Sequence, residues 1–408
     1  MKLAKIRSVS FKTYLATVLL VALICIGATS YVLSQSSSQT ITIEPASFTE
    51  TASYIIFKVG DTIYAKNGTT GEIEYSGTDA STVIQQAINA ILSLDGRGRI
   101  FIKSEIYDLS TTLTIEGKSP YPRLEIVGEG YGTSLRNYFN GPAIHLNNTE
   151  LVCIRNLVIA SWAPDYPSSK GIRITDSYRI ELRDVWCYGQ DVGFLIEGSC
   201  TVTMYGCQAT DGNEGLVIYG AGDSIDVYGF RAFANSERGI RIDDLTNDAG
   251  TVRIINPNLE NVGASQNIYI VNVEAGFIEI DGGVIWSSNK GIEITNPSTT
   301  DSQILISGVQ IKYTAGHGIS IYKHSNVTVS DCYIYINEGS SYGIRIEGKW
   351  NTISNCHIGG ASAYSIYEVE TSETDYNLIT GVVAEDLIIT NGANTQVHLC
   401  WNGTSWIP

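Results

Sequence analysis

The sequence predicts an all-β chain wound as a right-handed parallel β-helix of about ten or more coils, and three observations lead to it. A short phrase, Gly-Ile-x-Ile or a close variant, recurs ten times between Ala143 and Glu368 at steps of 22 to 28 residues. A second apolar run falls about halfway between successive phrases, as in Ile180-Glu181-Leu182, Val202-Thr203-Met204, Ile225-Asp226-Val227 and Val327-Thr328-Val329. The composition is that of strands and turns: 40 Gly and 24 Tyr against 9 Pro and 2 Met. A strand-turn-strand unit of this period cannot bury its apolar side alone, but stacked units bury it together. Leucine-rich repeats share the period yet need an L-x-x-L-x-L-x-x-N phrase, which is absent. Left-handed hexapeptide helices need a shorter, stricter period. Parallel crossovers are right-handed, which fixes the hand.

The elements follow in chain order. Lys2, Lys5, Arg7 and Lys12 precede an uncharged apolar run, Tyr14 to Leu33. About 20 apolar residues suffice to cross a bilayer, and basic flanks stay inside. Residues 1–34 therefore read as a membrane anchor or a cleaved signal peptide, and either one exports the remainder. Residues 35–51 read as a polar tether. Residues 52–77 hold hairpin signals, Val59-Gly60-Asp61 and Asn67-Gly68-Thr69-Thr70-Gly71, between apolar runs. Residues 78–408 form the coils, led by one amphipathic helix. Thr78-Asp79-Ala80-Ser81 supplies its N-cap, Val83, Ile84, Ala87, Ile88, Ile91 and Leu92 one apolar face, and Asp95-Gly96 the stop. Such a helix covers the open end of a solenoid.

Formal charge is −16, which discounts nucleic acid and anionic lipid as partners. It also repels polyanionic glycans unless a local basic patch or a metal ion offsets it. Cys25, Cys153, Cys187, Cys200, Cys207, Cys332, Cys356 and Cys400 make no CxxC pair and no zinc spacing, so no metal site is assigned. Cys332 and Cys356 lie one repeat apart. Stacked side chains point the same way, a poor geometry for a bridge, so a buried thiol ladder is expected in preference to a disulfide. Asn67, Asn147, Asn326 and Asn402 open four glycosylation sequons, consistent with an exported chain.

Asp79 to Asn137 carries Ala80-Ser81-Thr82-Val83-Ile84-Gln85-Gln86-Ala87-Ile88-Asn89, then Gly98-Arg99-Ile100-Phe101-Ile102, Ile106-Tyr107-Asp108-Leu109 and Gly128-Glu129-Gly130-Tyr131-Gly132-Thr133. With these motifs the chain resembles the pectate lyase-like β-helix superfamily, in particular the rhamnogalacturonase/epimerase-like domain shared with phage tailspikes. The resemblance implies a polysaccharide partner and a groove over the strands that hold the phrase. Gly316-His317-Gly318 and Arg345 echo polygalacturonases, but the acids of those enzymes are missing at Ser288-Asn289-Lys290 and Ala264-Ser265-Gln266. Pectate lyase phrases are absent except for a partial echo at Asp184-Val185-Trp186. No cofactor is implied, and calcium is the one ion the resemblance would admit.

One charged cluster flanks the phrase on successive coils. Asp191, Glu214, Glu237 and Asp243 are its candidate acids and bases, because glycoside cleavage needs carboxylates a few ångströms apart. Arg238 and Arg241 are candidate carboxylate holders, Tyr219 and Tyr269 candidate stacking platforms, and His317 a further candidate contact. The bland reading of the same residues is a solvated outer face. Two functions follow: a surface β-helix that binds and cleaves a polysaccharide as lyase or glycosidase, or a non-catalytic adhesin or envelope rod. The membrane is a partner only if residues 14–33 are retained.

Overall fold

A computed structural model describes residues 52–94, 96–117, 123–161, 164–198, 200–220, 223–245, 250–260, 266–286, 289–295, 302–337, 341–360, 363–371 and 374–407. The expected anchor or signal at 1–34 and the tether at 35–51 lie outside these residues. No helix among the described residues is long and apolar enough to cross a membrane.

One coil shows how the chain winds. The phrase strand Val192–Glu197 ends at Gly198, whose φ of +74° turns the chain. A second strand, Thr201–Tyr205, ends at Gly206 (φ +59°), and a third, Gln208–Thr210, ends at Asp211 (φ +57°). The next phrase strand, Glu214–Tyr219, then pairs parallel with Val192–Glu197 in register, Phe194 beside Leu216 and Ile196 beside Ile218. Repetition gives a parallel solenoid. Among the described residues its phrase strands form one twelve-stranded sheet running from Leu113–Glu116 to Ile388–Ile389. The second and third strands form the larger sheet. Inward columns such as Ile242, Ile270 and Ile294 are fully buried and stack directly.

Turn chemistry explains two residue types that the repeat left unassigned. The turn between second and third strands carries a left-handed residue on ten successive coils, Asn156, Asp184, Gly206, Gly229, Asn256, Gly282, Gly308, Asp331, Asn355 and Gly381, and Leu399 holds the same place on the coil after them. Asn, Asp and Gly are the residues that tolerate that backbone. The next residue points inward, and four of the seven described cysteines stand there. The thiols of Cys207, Cys332, Cys356 and Cys400 are buried and donate to the carbonyls of Tyr205, Ser330, Ser354 and His398 at 3.1–3.6 Å. The seven described cysteines are free thiols. Burial pushes the Cys207 thiol up to about 12, which keeps it protonated and inert.

The phrase begins with Gly because space is short. A Cβ on Gly171 would lie 2.3 Å from Cys187 Sγ. Asn267 occupies that same inward column, fully buried, and its amide has no hydrogen-bond partner.

At the N-terminal end, Tyr54–Val59, Thr62–Asn67 and Ile73–Gly77 pair antiparallel, and Tyr54–Val59 also pairs parallel with Arg97–Ile102. The helix Ala80–Leu94 is capped by Asp79, which accepts from the Thr82 N–H at 3.0 Å. Its buried face holds Val83, Ile84, Ala87, Ile88 and Ile91. The Gln85 amide donates to Thr114 O at 2.9 Å and accepts from Thr114 N at 2.8 Å. It thus imitates a neighbouring strand at the outermost strand of the twelve-stranded sheet.

Candidate functional site

Three outward columns cross the twelve-stranded sheet. The first runs Lys170, Val192, Glu214, Arg238, Gln266, Lys290. The second runs Arg173, Leu195, Val217, Arg241, Tyr269, Glu293, Ser320, Arg345, Tyr367. The third runs Thr175, Glu197, Tyr219, Asp243, Val271, Thr295, Tyr322, Glu347.

The expected cluster is partly assembled. Glu214 is 7% exposed and held between two guanidiniums: Arg238 Nη1 reaches Oε1 at 2.7 Å and Arg241 Nη2 reaches Oε2 at 3.0 Å. Arg241 also reaches Asp243 at 3.0 Å, Glu237 lies 3.5 Å from Arg238, and the Arg238 guanidinium sits 5.0 Å over the Tyr269 ring. Arg238 and Arg241 are thus ion-paired with the chain's own carboxylates, and the Nε of each is buried without a hydrogen bond.

Of three further expected members, Asp191 and His317 stand apart from it and Tyr219 adjoins it, in register with Asp243. Asp191 does not share a column with Glu214. It lies one residue before its strand and accepts from Asn213 Nδ2 at 2.9 Å in the turn. Aligning Gly193 with Gly215 shows the one-residue offset, because alternation makes a single position decide the face. Tyr219 bonds Asp244, whose charge raises its phenol above the ordinary range. His317 lies three coils beyond Arg238, about 14 Å along the stack.

His317 belongs to a second constellation, of which the sequence set His317 and Arg345 on successive coils but did not single out Ser320 or Glu293 beside them. Lys290 Nζ bonds both oxygens of Glu293 at 3.0 Å, and Gln266 Nε2 donates to the same carboxylate. Arg345 Nη2 bonds Glu347 at 3.0 Å, and the Arg345 guanidinium lies 4.2 Å over the Tyr322 ring. Lys290 Nζ is 5.9 Å from the same ring centroid. Between Glu293 and Arg345 stands Ser320, facing outward yet 0% exposed, with its hydroxyl unpartnered. Arg345 Nη1 is likewise buried without a hydrogen bond.

His317 stacks on Tyr342 at 4.9 Å, and its Nδ1 accepts the Tyr342 N–H at 3.2 Å. A backbone N–H only donates, so the ring proton sits on Nε2. Burial first, then the charges of Arg345 and Lys290, push His317 down to about 4. At neutral pH it is a neutral donor through Nε2. Tyr342, Tyr364 and Tyr367 continue the face as rings stacked 4.7–5.9 Å apart.

Among the described residues no group of three or more His, Cys, Asp or Glu side chains is placed to hold a metal ion. The sequon side chains sit variously: Asn67 bonds Glu74 at 2.7 Å, Asn147 bonds Glu116 at 2.9 Å, and Asn326 is exposed in a left-handed turn. Asn402 falls in the strand Cys400–Asn402.

A family profile described as a right handed beta helix region matches residues 142–300. No curated protein sequence matches the chain. Among solved structures, the A-module of the Azotobacter vinelandii mannuronan C-5 epimerase AlgE6 superposes with a TM-score of 0.63 at 16% identity, over 79% of this chain and 95% of that one. The Geobacillus virus E2 ORF18 protein gives 0.57 at 12%, over 76% and 69%. The catalytic unit of a GH87 alpha-1,3-glucanase from Streptomyces thermodiastaticus gives 0.53 at 13%, over 80% and 68%. At such identities the likeness carries the fold, and by that fold and the matched profile the chain is a right-handed parallel β-helix protein.

Proposed function

We propose that this is an extracytoplasmic polysaccharide-binding β-helix that holds an acidic sugar on the sheet face around Ser320. The observation that carries it is the set of donors there: the unpartnered Ser320 hydroxyl, the unpartnered Arg345 Nη1 and the Nε2–H of a neutral His317. Unsatisfied buried donors are costly, and a carboxylate is an acceptor that suits each of them. The Tyr342–Tyr364–Tyr367 stack offers ring faces to adjoining sugars. Mannuronan epimerases are among the structural neighbours, and basic residues ahead of the apolar run 14–33 favour export. Donors that neutralise a sugar carboxylate also acidify the adjoining C–H, which suits lyase-type chemistry more than hydrolysis.

A specific observation favours the second reading, binding without cleavage. Glu293 is occupied by Lys290 and Glu347 by Arg345, so neither is a free acid or base for hydrolysis. The test is a panel of polygalacturonate, mannuronan and neutral glucans, following binding, reducing ends and unsaturated uronate absorbance. Arg345→Gln and Ser320→Ala are expected to weaken binding of the acidic glycans at least tenfold. Glu214→Gln and Asp243→Asn should leave it near wild type. The reverse pattern moves the site to the Arg238–Arg241 cluster, and binding without either product supports the adhesin.

A further inference from the structure

Away from the phrase sheet, at the N-terminal end, a cleft of about 980 Å3 opens where strands of the larger sheet begin. Arg97, Arg99, Arg123 and Arg179 line it, against Glu125 and Glu181. In a chain with 26 basic and 42 acidic residues this is a local reversal of sign. Its acids are already matched: Arg155 reaches Glu125 at 2.6 Å, Arg99 bonds the same carboxylate, and Arg183 reaches Glu181 at 2.8 Å. Burial alone would raise Glu125, but its bonds to Arg155 and Arg99 prevail and hold the carboxyl below its usual range.

Arg97 and Arg123 stand in direct register on adjacent strands, both exposed. Arg179, on the cleft wall, reaches Glu150 at 2.9 Å and keeps most of its side chain exposed. A row of guanidiniums along the stack matches a linear polymer that carries its acid groups in a row. The cleft volume is also that of a site for several sugar units, not for a lone ion.

We propose that this cleft is a second glycan site, which takes an acidic polysaccharide strand through Arg97, Arg123 and Arg179 and so overcomes the long-range repulsion of an acidic chain. It stands independently of the sheet-face reading. The test uses the full chain carrying Arg345→Gln, so that residual binding reports the cleft. The probes are polygalacturonate oligomers, dextran sulfate, neutral dextran and phosphatidylglycerol vesicles. Binding of either acidic glycan, weakening with added salt and absent for neutral dextran, is expected. Adding Arg97→Gln and Arg123→Gln should weaken it at least tenfold. Equal affinity before and after the two substitutions overturns the proposal, as does binding to the vesicles alone or to no acidic probe. Retention of the cleft signal alongside an unaltered response to Arg345→Gln would sink only the sheet-face reading.

Discussion

Ile270 and Tyr269 are neighbours with opposite fates. Ile270 is 1% exposed between Ile242 and Ile294, whereas Tyr269 faces outward over Arg238. Ile270→Asp places a carboxylate among apolar side chains and should cost more than about 4 kcal/mol, visible as lost expression or a sharply lower melting temperature. Tyr269→Ser gives up one cation–π contact and should cost under about 1 kcal/mol. Equal melting of the two would invert the facing of every outward column. His317 gives a pH signature. Its folded pKa, about 4, lies below the 6.5 of a free imidazole, so only the unfolded chain takes up the proton between those values. Stability should therefore be full above pH 6.5 and decline as pH falls to about 4. With solvent screening discounted the loss is about 1 kcal/mol. His317→Asn should flatten that part of a melting-temperature profile, and an unchanged slope would refute the assignment. The inward phrase was legible because Ile, Val and Leu recur at a fixed place. The Ser320 constellation was legible only in part: His317 and Arg345 stood out as an echo on successive coils, whereas Ser320 looks like an ordinary residue of its phrase.

The Gln85 side chain joins helix to strand. Gln85 supplies both a donor and an acceptor to Thr114, so the first phrase strand is paired although no further strand lies beside it. If this is the cap anticipated from the apolar face of the helix, Gln85→Ala should lower stability by about 1–2 kcal/mol and speed amide exchange at Leu113–Glu116. Unaltered exchange there would leave the helix as mere packing. The helix was readable from its spacing and its Asp79 cap. The turn columns were not, because Asn, Asp and Gly alternate freely at one structural position and share a tolerated backbone, not a sequence. The arginine cleft was hidden for a related reason. Arg97 and Arg123 precede the first clear phrase at Ala143, so no repeat brings them into alignment, and only the strand register does.

A solenoid is held together coil by coil, and its last coils hang on one buried acid. Glu368 replaces the inward Ile of its phrase and is 0% exposed. Its carboxylate accepts from Asn377 Nδ2 and Thr395 Oγ1 at 2.7 Å, from Asn391 N at 2.9 Å and from Gly392 N at 3.0 Å. Glu368→Ala orphans all four donors and should cost about 3 kcal/mol or more. Because repeats couple only to their neighbours, the damage should stay local. Residues 374–407 should exchange amide protons rapidly while the stack around Ile270 keeps its protection. Uniform loss would show a cooperative whole.

The reversal at the C-terminus has a bearing on crowding of one copy against another. Among the described residues each coil passes its amides to the next, whereas Trp406–Ile407 doubles back antiparallel on Cys400–Asn402. The phrase sheet likewise dwindles to the two residues Ile388–Ile389. The antiparallel return leaves an incoming chain a shorter row of vacant hydrogen-bonding groups at this edge, which works against growth into a fibre. Removing residues 403–408 would lengthen that row. Light scattering at rising concentration should then show end-to-end filaments that the intact chain does not form.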